Sequence, residues 1–148
     1  MHIAGMTQDI ETRINDSFAR QSLMHTLGAT LERVGSGSVS IRAPLADHVL
    51  QQHGFGHAGL TFSIGDSAAG YSALTLFDAD TEVLTAEIKI NLLAPAKGDY
   101  LIAKGRVIKS GRRLCVVASD IYAYDGGRET LIAIMQGTMV PIPRNAQA

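Results

Sequence analysis

The sequence predicts an α+β domain in which one long helix covers a mainly antiparallel sheet of about six strands. Three observations carry this. The order of elements is helix, two strands, long helix, four strands. Residues 82–92 alternate Val83, Thr85, Glu87, Lys89 and Asn91 against Leu84, Ala86, Ile88, Ile90 and Leu92, the period of a strand. Gly59 to Phe77 runs without proline and is long enough for a helix. A length of 148 residues with 46% hydrophobic content suits one domain, 1–148, with a real core.

The first helix is expected to start at Thr7 as N-cap, with Asp9 and Glu11 in its first turn. Ile10, Ile14, Phe18 and Leu23 mark its apolar face. Gly28 stops the helical pattern. Ala29 to Val34 and Ser38 to Ala43 form a hairpin across "GSG", closed by Pro44. Residues 45–57 make a polar loop with three histidines. After the central helix come strands Glu82 to Leu92, Tyr100 to Lys109, Leu114 to Tyr124 and Glu129 to Val140, the last two joined by the hairpin signal "DGGR". Pro141 and Pro143 should end the order, with residues 1–6 and 144–148 as flexible ends.

A formal net charge of −1 argues against nucleic acid as a partner. No apolar run reaches the roughly 20 residues of a membrane span, and no signal peptide is expected at the N-terminus. The single cysteine forbids an intrachain disulfide and fits a cytoplasmic location. Cys115 reads as a small core residue. His48, His53 and His57 lie in a loop rather than at fixed helical spacing, so no metal site is expected.

The central helix is thin: Gly59, Ser63, Gly65, Ser67, Ala68, Ala69, Gly70, Ser72 and Ala73 leave little side-chain bulk. Two interior glycines cost about 1 kcal/mol each relative to alanine. The cost makes sense where a curved sheet or another helix packs against the backbone. Asp66 then sits in a partly dry place with no basic residue three or four positions away. Such a carboxylate is a candidate base or nucleophile. His57, Ala58 and Gly59 stand where loop becomes helix, and the first amide hydrogens of a helix can stabilise an oxyanion. Eight residues separate Ala58 from Asp66, about 12 Å along a straight helix. One chain cannot bring both to a single carbonyl. Two antiparallel copies across a two-fold axis can, so the two features together imply a homodimer at least.

"HAGLTFSIGDSAAGYSA" resembles the "HGG…D" signature of hotdog-fold acyl-CoA thioesterases of the phenylacetate-degradation (PaaI-like) type, and the likeness extends over most of the chain. It implies a long helix wrapped by an antiparallel sheet, in dimers and commonly homotetramers. It implies acyl-CoA as substrate and no cofactor, coenzyme A being part of the substrate. By position, Asp66 is the catalytic carboxylate, acting directly or through water. Ala58 supplies the oxyanion N–H with Gly59 adjacent. Gln51 stands where an amide positions thioester or water, His57 orients the loop, and Thr85 matches a hydroxyl near the attacking water. The first motif glycine is Ala58 here, whose methyl narrows the approach. Among the basic residues Lys104, Arg106, Lys109, Arg112 and Arg113, the turn residues Arg112 and Arg113, with Lys109, are the candidates for coenzyme A phosphate. Leu23, Met24, Leu27 and Tyr71 are candidates for the acyl pocket. A silent acyl-CoA binder and a hotdog dehydratase or isomerase are the alternatives.

Overall fold

The structure, a computed structural model, describes residues 3–147, with side chains from Asp9 to Asn145. Six strands form one antiparallel sheet in the order β1-β2-β4-β5-β6-β3. They are β1 (Thr30–Gly35), β2 (Ser38–Pro44), β3 (Thr81–Leu92), β4 (Tyr100–Ser110), β5 (Cys115–Asp125) and β6 (Arg128–Pro143). Helix α3 (Ala58–Leu74) lies in the concave face, behind α1 (Ile3–Ala19) and the short α2 (Ser22–Thr26). This is the hotdog fold. Among the described residues, no helix is long and apolar enough to cross a membrane.

Helix α1 begins at Ile3, so Thr7 is not its N-cap, and Asp9 and Glu11 lie beyond its first turn. Ile14 is fully buried, and Ile10 and Phe18 pack beside it. Leu23 does not continue that face. The chain breaks at Arg20–Gln21 before α2, the helical phase shifts, and Met24 takes the buried place while Leu23 is 53% exposed. Gly28 and Gly37 turn the chain with positive φ, where a Cβ would be strained.

Helix α3 is tied into the sheet by small polar groups. Ser119 Oγ on β5 donates to the Gly65 carbonyl at 2.7 Å. Ser72 Oγ accepts from the Val39 N–H at 2.9 Å and donates to the Ala68 carbonyl at 2.7 Å. The helix ends at Leu74, before the expected Phe77. There Thr75 Oγ1 accepts the Gly37 N–H at 2.8 Å and binds the chain to the first hairpin.

The last strand runs further than its prolines suggest. Pro141 pairs with Val83 and Pro143 with Thr81. Strand β5 begins at Cys115, opposite Met139, so the tail of β6 beyond it has one neighbour only. Such a position tolerates a residue without an N–H. Of the two ends expected to fray, Met1, His2 and Ala148 lie outside the described residues, while Arg144–Gln147 form a 3-10 turn.

Close approach governs the packing. A Cβ added at Gly105 on β4 would collide with the Ala68 backbone carbonyl and lie 2.8 Å from the Ala69 nitrogen. One added at Gly65 would meet the Met135 sulfur. Backbone cannot step aside, but the end of a methionine can. Gly105→Ala should therefore cost about 3 kcal/mol or more of stability, whereas Gly65→Ala should cost clearly less, since alanine also favours the helix by about 1 kcal/mol. Urea unfolding of the two variants measures the difference, and equal costs would contradict the close contact at Gly105.

Candidate active site

Helix α3 leaves one stripe out of the core: Gly59, Phe62, Ser63, Asp66, Ser67 and Gly70, spaced three or four residues apart. Asp66 sits at its centre, half-buried. Thr85 Oγ1 on β3 donates to Asp66 Oδ1 at 2.8 Å. The strand is shaped for this contact. A bulge between Thr85 and Glu87 shifts the register against β6. Val83, Ile88 and Ile90 all pack against the core although strict alternation would separate 83 from 88 and 90. The bulge thereby sets Val83 and Thr85 on the same side as Ile88 and Ile90, beside α3.

Burial pushes the Asp66 carboxyl above its ordinary range, and the Thr85 hydrogen bond opposes that rise without cancelling it. The recess around it includes Gln21, Ser67, Tyr71, Thr85 and Met139. The acid is partly desolvated, has no basic partner, and keeps Oδ2 without a protein hydrogen bond among the described residues. That suits a group that takes a proton or attacks an electrophile.

The start of α3 is built separately. His57 is the N-cap, with extended φ −63° and ψ 142°, and its Nδ1 accepts the Gly59 N–H at 2.7 Å. An accepting Nδ1 holds no proton, so His57 orients the turn. The Gly59 N–H is thus engaged. The Ala58 N–H has no partner among the described residues and, at a helix start, carries partial positive charge. Backbone bonds hold the loop: His57 N–H to the Val49 carbonyl at 2.9 Å and Gly56 N–H to the Ala96 carbonyl at 2.8 Å. Gln51 Oε1 accepts the His53 N–H at 2.5 Å and the Phe55 N–H at 3.3 Å, which leaves its amide N–H groups for other use. Gln51, His57 and Ala58 line one recess with Leu92, Leu93 and Pro95.

The structure thus brings Asp66 to Thr85, and Gln51 to His57 and Ala58. It does not bring the two groups together within one chain. Their recesses share no lining residue.

Of the basic residues, Arg106 is paired with Asp120 at 2.9 Å and Lys104 lies over the Tyr122 ring at 4.5 Å. Lys109, Arg112 and Arg113 are exposed around the β4–β5 turn, with no acidic partner among the described residues. Cys115, Met139 and Thr85 form one cross-strand row, so this turn stands at the sheet end that carries Asp66. Two strand spacings separate Cys115 from Thr85, about 10 Å.

Among the acyl-pocket candidates, Tyr71 lines the Asp66 recess, Met24 is buried in the core, Leu27 packs against it, and Leu23 is exposed. Sequence reasoning missed Ser17 and Gln21. Ser17 Oγ lies 3.0 Å from the Tyr71 hydroxyl, and Gln21 Nε2 donates to that hydroxyl at 2.8 Å. A signal existed: Ile10, Ile14, Ser17 and Gln21 follow helical spacing, and polar residues that continue an apolar stripe point to a polar inner site.

Comparison with known proteins accords with this fold. The family model described as the thioesterase superfamily matches residues 53–130, over half of the chain. A candidate esterase of Saccharolobus solfataricus is 33% identical over 129 residues, covering 87% of this chain and 83% of the relative. The crystal structure of a thioesterase family protein from Silicibacter pomeroyi superposes with a TM-score of 0.89 at 40% identity, covering 90% of this chain and 98% of that one. The PaaI protein of E. coli, from the phenylacetic acid degradation operon, shares the fold with a TM-score of 0.82 at 19% identity, over 93% of this chain and 96% of its own. The chain belongs to the thioesterase superfamily, as a hotdog-fold thioester hydrolase of PaaI-like architecture.

Proposed function

We propose that this chain hydrolyses acyl-CoA thioesters at two equivalent sites, each built from Asp66 and Thr85 of one protomer and Ala58, His57 and Gln51 of its partner. The observation that carries the reading is a desolvated carboxylate and an unpartnered helix-start N–H, eight residues apart on one helix whose outer stripe is small apart from Phe62. Two such helices laid antiparallel match acid to amide twice. Strand β3 supports the same axis. It ends the sheet order, and its exposed Leu84 (51%) and Leu92 (56%) are unusual for a free edge. Further pairing of dimers into a tetramer belongs to the same reading, as does a cytoplasmic location.

Asp66 takes a proton from water as the water oxygen bonds to the thioester carbon, or attacks that carbon itself. Negative charge develops on the carbonyl oxygen and is met by the Ala58 N–H. In the water route the carbon–sulfur bond then breaks, Asp66 returns its proton to the sulfur, and coenzyme A leaves as the thiol with the free acid. In the direct route the thiolate leaves and takes a proton from water, and a second water cleaves the acyl–Asp66 anhydride to release the acid and restore the carboxylate. Thr85 holds Oδ1 so that Oδ2 faces the reacting atoms. Gln51 offers its amide N–H to the thioester or the water. Arg112, Arg113 and Lys109 suit the phosphates of coenzyme A. The methyl of Ala58 crowds the one helix-start N–H of the motif left without a partner among the described residues, which favours a silent acyl-CoA binder as the second reading.

Thiol release from a panel of acyl-CoAs separates the two. Hydrolysis should be seen with the unaltered protein, and Asp66→Asn should lower it by about 10²–10⁴-fold. Binding without release in the unaltered protein would leave the silent binder.

The shared site has its own test. Proline is tolerated at the first position of a helix and removes the N–H, so Ala58→Pro should keep the fold and lose about 10²-fold in rate. Mixed and refolded with Asp66→Asn, it should recover about a quarter of the original activity, because each hybrid dimer has one intact site. No recovery would mean that both groups serve one chain.

Asp66 must be ionised to act. Its raised pKa places the acid limb of kcat/KM above the ordinary aspartate value of 3.8. The Thr85 bond favours the ionised form. Thr85→Val should move that limb to higher pH and Thr85→Ser should leave it in place. A limb unmoved by valine would remove Thr85 from the site.

A further inference from the structure

We infer that Glu87 and Lys89 on β3 are positioning residues: Glu87 pairs with the partner's Lys89, Lys89 with the partner's Glu87, and this register sets Asp66 against the partner's helix start. The inference rests on the proposed shared site and names what aligns it. Strand β3 has 12 residues and ends the sheet order, so one edge of it is open. A long edge that exposes apolar side chains is a surface for pairing. A two-fold axis perpendicular to the sheet lays a second β3 antiparallel on that edge and keeps both helices on one face. Beyond the bulge, residues 87–92 pair regularly with β6. On such a stretch opposite residues share a face, so one residue must meet its own copy on the axis. Which residue that is defines the register.

Charge on the strand selects one residue. Glu87 and Lys89 are exposed on the convex face, on the side opposite Ile88. Neither has an ion-pair partner among the described residues. An axis at residue 87 sets glutamate opposite glutamate, and one at 89 sets lysine opposite lysine, both unfavourable. An axis at 90 leaves Lys89 opposite an asparagine, Asn91. An axis at Ile88 sets glutamate opposite lysine twice. The helix gives an axis without reference to charge. Matching Ala58 to the partner's Asp66 centres the pair on Phe62, the one bulky residue of the outer stripe, which then meets its own copy. Asp66 bonds Thr85, and Ala58 shares a recess with Leu92. Midway between 58 and 66 is 62, and midway between 85 and 92 falls at 88–89. Strand and helix therefore point to one axis independently.

The test reverses the charges. Glu87→Lys alone and Lys89→Glu alone should each raise the dimer dissociation constant by about tenfold or more, read by sedimentation at falling concentration, and acyl-CoA hydrolysis should fall as the dimer parts. Mixed one to one and refolded, the two variants face lysine with glutamate at both places. Native mass spectrometry should then find mostly heterodimers, against about half by chance, and activity should return. The double variant Glu87→Lys, Lys89→Glu should dimerise by itself. Cross-linking reads the register without charge. Ile88→Cys should form a disulfide with its own copy under a mild oxidant, whereas Lys89→Cys, whose copies would lie about 8 Å apart, should not. The natural Cys115 is buried and does not compete. Single reversals that dimerise as tightly as the unaltered protein, a mixture that pairs at random, or a cross-link at 89 in place of 88 would overturn the inference. Dimers that follow the charges while no acyl-CoA is hydrolysed would uphold the register and sink hydrolysis instead.

Discussion

The close contact between α3 and the sheet is the constraint on which the molecule depends. At Gly105 the helix backbone touches the strand with no room for a methyl group, and at Gly65 the helix presents bare backbone to Met135. Side-chain bulk at these points would push it out of the concave face. Small residues are therefore required where helix meets sheet, at Gly65, Ala68 and Ala69, while Leu60, Ile64 and Leu74 fill the core beside them. On the outer stripe Ser63, Ser67 and Gly70 leave room beside Asp66. Polar ties from Ser119 and Ser72 replace what apolar bulk would otherwise supply.

That constraint also shapes the chemistry. A helix sunk into a sheet carries its own carboxylate partly out of water, and the acid's affinity for a proton rises. The bulge in β3 then delivers one hydroxyl to hold an oxygen of that acid. Holding an unpaired charge there works against stability, a cost often met at functional sites. At the other end, the same helix supplies an amide hydrogen as a consequence of being a helix, and His57 takes the neighbouring one. Acid and amide lie too far apart for one carbonyl, which is why a second copy enters the proposal.

Much of this was legible in the chain. The order of elements, the extent of five strands to within a residue at each end, and a proline-free central helix follow from period and punctuation, which are local properties. The small residues around Asp66 marked it as an odd place for a charge. The errors were also local rules overridden by context. Thr7 has the chemistry of a cap, yet the helix begins at Ile3. Pro141 and Pro143 read as terminators, yet a one-sided strand end accommodates them.

By itself the sequence determined the fold class, the slender helix, the lone acid and the loop that opens the helix, because composition and spacing along one element suffice for these. Only the tertiary structure decided that Thr85 reaches Asp66, since a bulge, invisible to simple alternation, sets which way the strand faces. It also decided that the Gly59 N–H is occupied and the Ala58 N–H is not, and that Ser17 and Gln21 join Tyr71 and Ser67 beside the acid. These facts depend on contacts between residues far apart in the chain, where no periodic pattern records the pairing.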